Sequence, residues 1–141
     1  MKELSAEDKE LLLKDLCAKL PYGVRIWHKY YPDKVTKKFA TSIRLADTKL
    51  ALSNKLNEEG DWYPIEESGE ILIKPYLRPM SSMTEEERAE RIGLLYELEG
   101  HINEDVTYKY QDWLNKHHFD YRGLIPMGLA IAVTKENNPY E

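Results

Sequence analysis

Apolar residues recur every three or four positions near the start of the chain, as they do on one face of an amphipathic helix. This stripe consists of Leu12, Leu13, Leu16, Cys17 and Leu20. Ser5 and Asp8 have the spacing of a capping box, and Pro21 stops a helix. We therefore predict a helix over residues 6–20 that buries the stripe, including the thiol of Cys17.

The hydrophobic period changes to two after this helix, which is typical of a half-buried strand. One face of the predicted strand carries Val24, Ile26, His28 and Tyr30, and the other carries Arg25, Trp27, Lys29 and Tyr31. A similar alternation predicts a second strand over residues 37–46. Residues 49–53 fit a third strand, although a helix over residues 45–56 is an alternative that the pattern leaves open.

Two further apolar segments follow before the centre of the chain. Residues 62–65 can dock aromatic rings on the sheet, and residues 71–74 fit a short buried strand that Pro75 should end. Residues 22–75 are thus predicted to form a small twisted antiparallel sheet or a partly open barrel, with roughly three to five short strands.

Helical patterns return in the second half of the chain. Thr84 and Glu87 have capping-box spacing, and Asp120 can cap a short last helix that closes at Gly128. We predict roughly two to three helices over residues 84–127, packed on the sheet, which gives an α+β fold.

Residues 113–125 mix apolar anchors with reactive groups more densely than any other segment. The anchors, predicted to fix the angle between two helices, are Trp113, Phe119 and Tyr121. His117 and His118 then lie at a helix C-terminus, where the helix dipole favours a cationic imidazole. Asp120 caps the helix that comes next, so we favour a structural role for the whole segment.

The same segment has two chemical alternatives. His117, His118 and Asp120 have the ligand types of a zinc or other transition-metal site. A histidine beside Asp120 can instead act as a general acid or base while Arg122 holds a phosphate. Adjacent helical residues point in different directions, which argues against a shared site for both histidines.

Composition describes an ordinary globular chain, with 42% hydrophobic and 32% charged residues among 141. We predict a single domain over residues 1–141 with a frayed tail over residues 137–141. Its single cysteine excludes an intramolecular disulfide, and the sequence contains neither an apolar signal core nor a long apolar run. These features predict a cytoplasmic protein that does not enter a membrane.

Charge is unevenly distributed although the net charge is only −5. Cations outnumber acids between residues 21 and 56, whereas acids dominate residues 57–70 and 84–105. Basic strands over residues 22–55 that interleave cations with aromatic rings can bind a nucleic acid. Pairing between oppositely charged surfaces of the same chain also explains the distribution, and we favour this explanation.

No phosphate-binding loop, dinucleotide fingerprint, zinc-protease helix, nucleophile elbow or paired-cysteine motif occurs in the sequence. We therefore expect no cofactor and favour a protein without enzymatic activity. The chain has ten tyrosines and three tryptophans, residue types that are enriched at protein interfaces. The candidate binding residues are Arg25, Trp27, Lys29, Tyr30, Tyr31, Trp62, Tyr63 and Tyr76.

Three blocks of the sequence resemble a known family. They are residues 16–24, residues 74–87 and residues 112–125, the last followed by the Gly-Leu-Ala of residues 128–130. In these blocks the chain is similar to a family of small uncharacterised proteins from prophages, phages and mobile elements of gut bacteria. The resemblance implies a setting, that of a mobile-element accessory protein in a bacterial cytoplasm, and it implies no activity, cofactor or catalytic residue.

Together these features predict a non-enzymatic accessory protein that binds a host or phage protein, or a second copy of itself, through a Tyr/Trp-rich surface. The alternative is a nucleic-acid-binding module that uses the basic strands. A histidine- or metal-dependent hydrolase is the third hypothesis.

Overall fold

The computed structural model describes residues 5–31, 38–54, 60–100 and 104–140, without the side chains of 97–100 and 104–107. It confirms the α+β prediction: an N-terminal helix, small antiparallel sheets that do not close into a barrel, and two C-terminal helices. None of the helices in this part of the chain is long and apolar enough to cross a membrane.

The first helix, α1, runs from Ala6 to Lys19, and the hydroxyl oxygen of Ser5 caps it by accepting a hydrogen bond from the N–H of Asp8. Its buried face consists of Leu12, Asp15, Leu16 and Lys19. Cys17 lies one position beyond this face and is exposed, so the prediction of a buried thiol is wrong. The helix therefore turns a carboxylate and an ammonium group inward together with its leucines.

In the described parts of the chain, eight short strands follow the helix in three small sheets, more than the sequence predicts. The strands are β1 (Ile26–His28), β2 (Phe39–Arg44), β3 (Lys49–Ser53), β4 (Asp61–Pro64), β5 (Glu66–Glu67), β6 (Glu70–Ile71), β7 (Ile73–Leu77) and β8 (Ile131–Ala132). β2, β3 and β4 form an antiparallel meander, and β5 pairs with β6 across Ser68-Gly69. Both turn residues have positive φ, as a tight two-residue hairpin requires. For residues 45–56 the sequence leaves both a strand and a helix open, and Lys49–Ser53 form a strand.

The third sheet has β7 at its centre, with β1 antiparallel on one side and β8 parallel on the other. β7 runs through Pro75, which the sequence predicts to end the strand. Pro75 has no backbone N–H to donate. It is accepted within β7 because β8 pairs with β7 only from Tyr76 onward, so β8 needs no hydrogen bond from position 75. The first strand is also shorter than predicted: of residues 24–31, only Ile26–His28 form a strand. Before it, Leu20–Tyr22 form a 3-10 turn and Gly23 adopts a left-handed conformation.

The two C-terminal helices are α2 (Glu85–Gly100) and α3 (Glu104–Lys116). The predicted capping box is confirmed: the N–H of Glu87 donates to Thr84 Oγ1 at 3.1 Å, and the N–H of Thr84 donates to Glu87 Oε1 at 2.9 Å. The predicted third helix is absent, since residues 121–128 form successive turns. Asp120 still accepts hydrogen bonds from the N–H groups of residues 124 and 125, at 2.7 and 2.9 Å.

The main hydrophobic core joins the buried face of α1 to the sheets and to residues 124–130. A second, smaller cluster packs Leu114, Phe119 and Met83 below the C-terminus of α3. Gly128, predicted to follow the last helix, has φ of 75° and returns the chain toward β8. The turns after Asp120 thus make the connection for which the sequence predicts a helix.

Candidate functional sites

Two sites stand out, and the first is an aromatic cluster around His28. This imidazole, the last residue of β1, is 2% exposed. The rings of Tyr31, Tyr63 and Tyr30 surround it, with centroids 5.1, 5.5 and 6.1 Å from its own. His28 Nδ1 accepts a hydrogen bond from the N–H of Tyr30 at 3.1 Å, which orients the imidazole. Burial lowers the pKa of His28, so the ring is neutral at neutral pH.

The structure brings three of the predicted binding residues together here and separates the others. Tyr30 and Tyr31 follow the end of β1, so Tyr31 contacts His28 instead of continuing the face of Trp27. The Trp27 ring lies on the opposite face, 5.4 Å from Lys74 Nζ. Trp62 instead stacks with Arg44, and Tyr76 is buried and unable to contact a partner.

Four of the cations that the structure describes in the basic segment have partners within the chain. Lys29 forms an ion pair with Glu70, Arg44 makes two hydrogen bonds of 2.8 and 2.7 Å to Asp47, and Lys49 lies 4.0 Å from the same carboxylate. The Arg25 guanidinium carbon lies 3.8 Å from the centroid of the Phe39 ring. These observations favour internal pairing as the explanation of the basic segment.

The second site is a pocket of about 760 Å³ where the C-terminus of α3 meets Arg78 and the chain's last residues. His118 holds this helix end. With φ of 62° it occupies the left-handed position that glycine usually takes, and its N–H donates to the carbonyl of Asn115 at 3.0 Å. The N–H of Phe119 donates to the carbonyl of Leu114 at 3.0 Å. These two bonds define a Schellman motif, and the contact between Leu114 and Phe119 completes it.

The His118 side chain explains why a histidine stands at a position suited to glycine. Its Nε2 lies 3.0 Å from the carbonyl oxygen of Tyr22, so this nitrogen carries the donated hydrogen. Its ring packs 4.1 Å from that of Tyr140. The Tyr140 hydroxyl in turn donates to the carbonyl of Tyr76 at 2.6 Å and accepts from the N–H of Arg25 at 3.0 Å. The tail predicted to be frayed is therefore docked at Tyr140.

The protonation of His118 should reduce the stability of the protein. Burial, and then the charges of Lys19 and Arg78, lower its pKa from 6.5 to about 4. Because the unfolded state binds the proton first, the stabilisation is complete above pH 6.5 and is lost as the pH falls to about 4. The loss should be about 3 kcal/mol, measured by urea denaturation across this range.

His118→Asn is the matched comparison, because asparagine accepts a left-handed backbone and does not titrate. Its stability should change less over the same pH range. His28, whose pKa is also lowered, contributes equally to both proteins. Equal losses in the two proteins would contradict the role given to His118.

Glu87 links α2 to the wall of the pocket. Both of its carboxylate oxygens accept hydrogen bonds from Arg78, each at 2.7 Å, and His117 Nδ1 lies 3.2 Å from Oε2. The Arg78 hydrogen bonds, the N–H of Thr84 and the nearby charges lower the pKa of Glu87 to about 2. Glu87 is therefore an ionised hub of the pocket wall as well as half of the capping box.

The residues predicted to be structural connect to this hub through aromatic rings. The Trp113 ring lies 4.8 Å from His117 and 5.6 Å from Phe119, and its Nε1 donates to Glu90 at 2.7 Å. Tyr121 donates from its hydroxyl to Asn115 at 3.0 Å. These rings pack together at the end of α3, but the prediction that they fix the angle between two helices is wrong, because turns follow Asp120.

No group of three or more histidine, cysteine, aspartate or glutamate side chains in the described ranges has the arrangement of a metal site. His117 instead contacts a glutamate, while His118 contacts a backbone carbonyl. Asp120 uses its carboxylate on backbone N–H groups. The described contacts of His117, His118 and Asp120 thus serve the fold.

Several residues of both sites are not predicted from the sequence. The alternating pattern includes His28 only as one of four residues, because a single histidine in a strand carries no sign that rings surround it. The pocket residues without a sequence signal are Arg78, Lys116, Thr134, Lys135, Asn138 and Tyr140. They come from three distant segments, so no local spacing groups them.

No family model, curated protein or solved structure matches the chain.

Proposed function

We propose that the protein is a non-enzymatic binding protein that holds a partner protein against Tyr30 and Tyr31. One observation carries the proposal: the two rings are 56% and 50% exposed, although both contact the buried His28. Aromatic side chains that are already held in place lose little conformational entropy on binding, so they make effective anchors. Their hydroxyl groups remain hydrated while the rings are exposed to solvent, before a partner binds.

The charges around the cluster favour a protein over a nucleic acid. Lys29, which follows His28, is paired with Glu70, and its ammonium lies 5.5 Å from the Tyr30 ring. A cation already paired with a carboxylate releases fewer counterions when a phosphate backbone approaches. A nucleic-acid-binding module therefore remains the second candidate, and a histidine- or metal-dependent hydrolase the third.

The resemblance of the three sequence blocks supports a phage or mobile-element setting for this proposal. A bacterial cytoplasmic protein of the host, or a protein of the element itself, would then be the partner. A second copy of this chain is the other occupant to be tested.

Tyr30→Ala/Tyr31→Ala tests the proposal by quantitative affinity capture from a bacterial lysate. Loss of two interface tyrosines should remove roughly 2–4 kcal/mol of binding free energy, so recovery of the specific partner should fall at least tenfold. Tyr96→Ala/Tyr108→Ala is the matched control, since these tyrosines are 77% and 61% exposed on the two C-terminal helices. The control should leave recovery unchanged.

Dissociation constants measured with the purified partner should agree with the recovery: Tyr30→Ala/Tyr31→Ala should bind more weakly than the wild type, and the control should bind equally well. Recovery that depends on nuclease-sensitive material, or that is equal for both double variants, would contradict the proposal. Sedimentation equilibrium tests whether the partner is a second copy of this chain. If the wild type and the control self-associate and Tyr30→Ala/Tyr31→Ala does not, the partner is a second copy.

A further inference from the structure

We infer that the pocket at the C-terminus of α3 binds a small organic phosphate, independently of the Tyr30 and Tyr31 surface. The cavity of about 760 Å³ lies within the range of small-molecule sites and is far larger than an inorganic phosphate requires. Its walls come from the segment after β7, from the end of α3 and from residues 133–140.

The charge of the pocket is the first reason. Arg78, Lys116 and Lys135 line it, and no aspartate or glutamate does so among the residues that the structure describes. Glu87 neutralises Arg78 from behind the wall. Within the described ranges, Lys116 and Lys135 have no carboxylate partner. Their two charges outweigh the partial negative charge of the α3 C-terminus, where the carbonyls of residues 114 and 115 already accept hydrogen bonds, and can therefore attract an anion.

The second reason for a phosphate ligand is that three polar side chains of the pocket have hydrogen-bond donors without an acceptor in the described part of the chain. Thr84 Oγ1 accepts from the N–H of Glu87, and Thr134 Oγ1 accepts from the N–H of Asn137, both at 3.1 Å. Each hydroxyl therefore keeps its hydrogen for another acceptor. Asn138 Oδ1 accepts from the N–H of Tyr140 at 3.0 Å, which leaves the two amide hydrogens of Asn138.

These donors select the chemistry of the ligand. Two ammonium groups, two hydroxyls and one amide offer many hydrogen bonds to an acceptor-rich anion, and a phosphate monoester has three terminal oxygens to receive them. A carboxylate has two oxygens. The wall is also prebuilt, because the Schellman motif fixes Lys116 to His118 and the Tyr140 hydrogen bonds fix the tail. Because this backbone needs no rearrangement, the ordering cost of binding is confined to the side chains.

Titration calorimetry with 5′-AMP and with ribose 5-phosphate tests the inference, using adenosine as the phosphate-free match and citrate as the carboxylate match. Both phosphates should bind, more weakly as salt is raised, and adenosine should not. Asn138→Asp keeps the acceptor for the Tyr140 N–H but places a carboxylate in the pocket, so affinity should fall at least about tenfold. Gln111→Glu, an exposed change of equal charge on α3, should have no effect.

Lys116→Gln/Lys135→Gln is the second variant, and both positions are exposed, so the fold should be retained. The affinity for phosphate should again fall at least about tenfold. Lys14→Gln/Lys109→Gln removes the same number of charges outside the pocket and should leave the affinity unchanged. Amide spectra confirm folding and should show ligand shifts near residues 116–118 and 134–138. The inference would be overturned if neither phosphate bound at millimolar concentration, or if the folded pocket variants bound as tightly as the wild type. It would also be overturned if adenosine bound as tightly as 5′-AMP, or if citrate bound more tightly than the phosphates.

Discussion

Asp15→Ala is expected to destabilise the protein by roughly 3–5 kcal/mol, because it leaves a buried ammonium group without its carboxylate. The side chains of Asp15 and Lys19 are both fully buried. Lys19 donates a hydrogen bond to Asp15 Oδ1, and Arg122 donates to the same oxygen at 3.0 Å. Burial lowers the pKa of Lys19, and the neighbouring Asp15 opposes that shift. Urea denaturation at neutral pH measures the change in the free energy of unfolding.

Replacing both members of the pair should have a smaller effect than replacing one. Asp15 Oδ2 is buried and accepts no hydrogen bond from the described residues, so the desolvation of this carboxylate is only partly offset. Asp15→Leu/Lys19→Met extends the apolar face of Leu12 and Leu16. Its stability should lie within about 1 kcal/mol of the wild type or above it.

Glu10 and Lys14 provide the control on the same helix, with the same four-residue spacing. Their side chains are 71% and 64% exposed and the charged atoms lie 3.6 Å apart. Glu10→Ala should change stability by less than about 0.5 kcal/mol, since water screens such a pair. An Asp15→Ala variant as stable as Glu10→Ala would show that the buried pair is unimportant.

Phe119→Ala is the second large effect, with an expected loss of roughly 3–5 kcal/mol. The ring is fully buried and belongs to the cluster with Leu114 and Met83. It also lies 5.6 Å from the Trp113 ring and 4.4 Å from the guanidinium carbon of Arg78. Truncation therefore empties the joint between α3 and β7 and removes the apolar contact of the Schellman motif. Thermal and urea unfolding measure the loss.

Tyr108→Ala supplies the comparison for Phe119→Ala. Tyr108 is an aromatic residue on α3 that is 61% exposed, so its truncation should change stability by less than about 0.5 kcal/mol. Phe119→Leu should fall between the two, because leucine retains part of the buried volume. A Phe119→Ala protein with wild-type stability would mean that the joint does not depend on this ring.

The sequence predicts those parts of the fold that local chemistry determines. The capping box at Thr84 and Glu87 and the presence of a strand at Phe39–Arg44 follow from neighbouring residues. The strict alternation expected for that strand does not hold, because the register shifts between Ala40 and Ser42. The strand end predicted at Pro75 is wrong because the acceptance of proline depends on where β8 begins to pair, more than fifty positions later. The predicted last helix is wrong because Asp120 binds N–H groups in turns as well as in helices.

The sites are harder to predict than the fold. Tyr30 and Tyr31 can be proposed from residue type, but their packing on His28 depends on β1 ending at that residue. His118 departs from the usual glycine signal of a helix end, and only its contacts with Tyr22 and Tyr140 explain it. Lys19 looks like a solvent-exposed lysine in the sequence, yet the helix face on which it lies is buried.

The parallel pairing of β7 with β8 has a consequence for synthesis of the chain. The hydrogen bonds of the Tyr140 hydroxyl span 64 and 115 residues, so loop closure must be complete before they form. β1 and β7 can pair as soon as residue 77 leaves the ribosome, whereas β8 arrives more than fifty residues later. In that interval β7 presents an open edge, to which a strand of another nascent chain can add. We therefore expect nascent chains that lie close together to be able to aggregate through this edge.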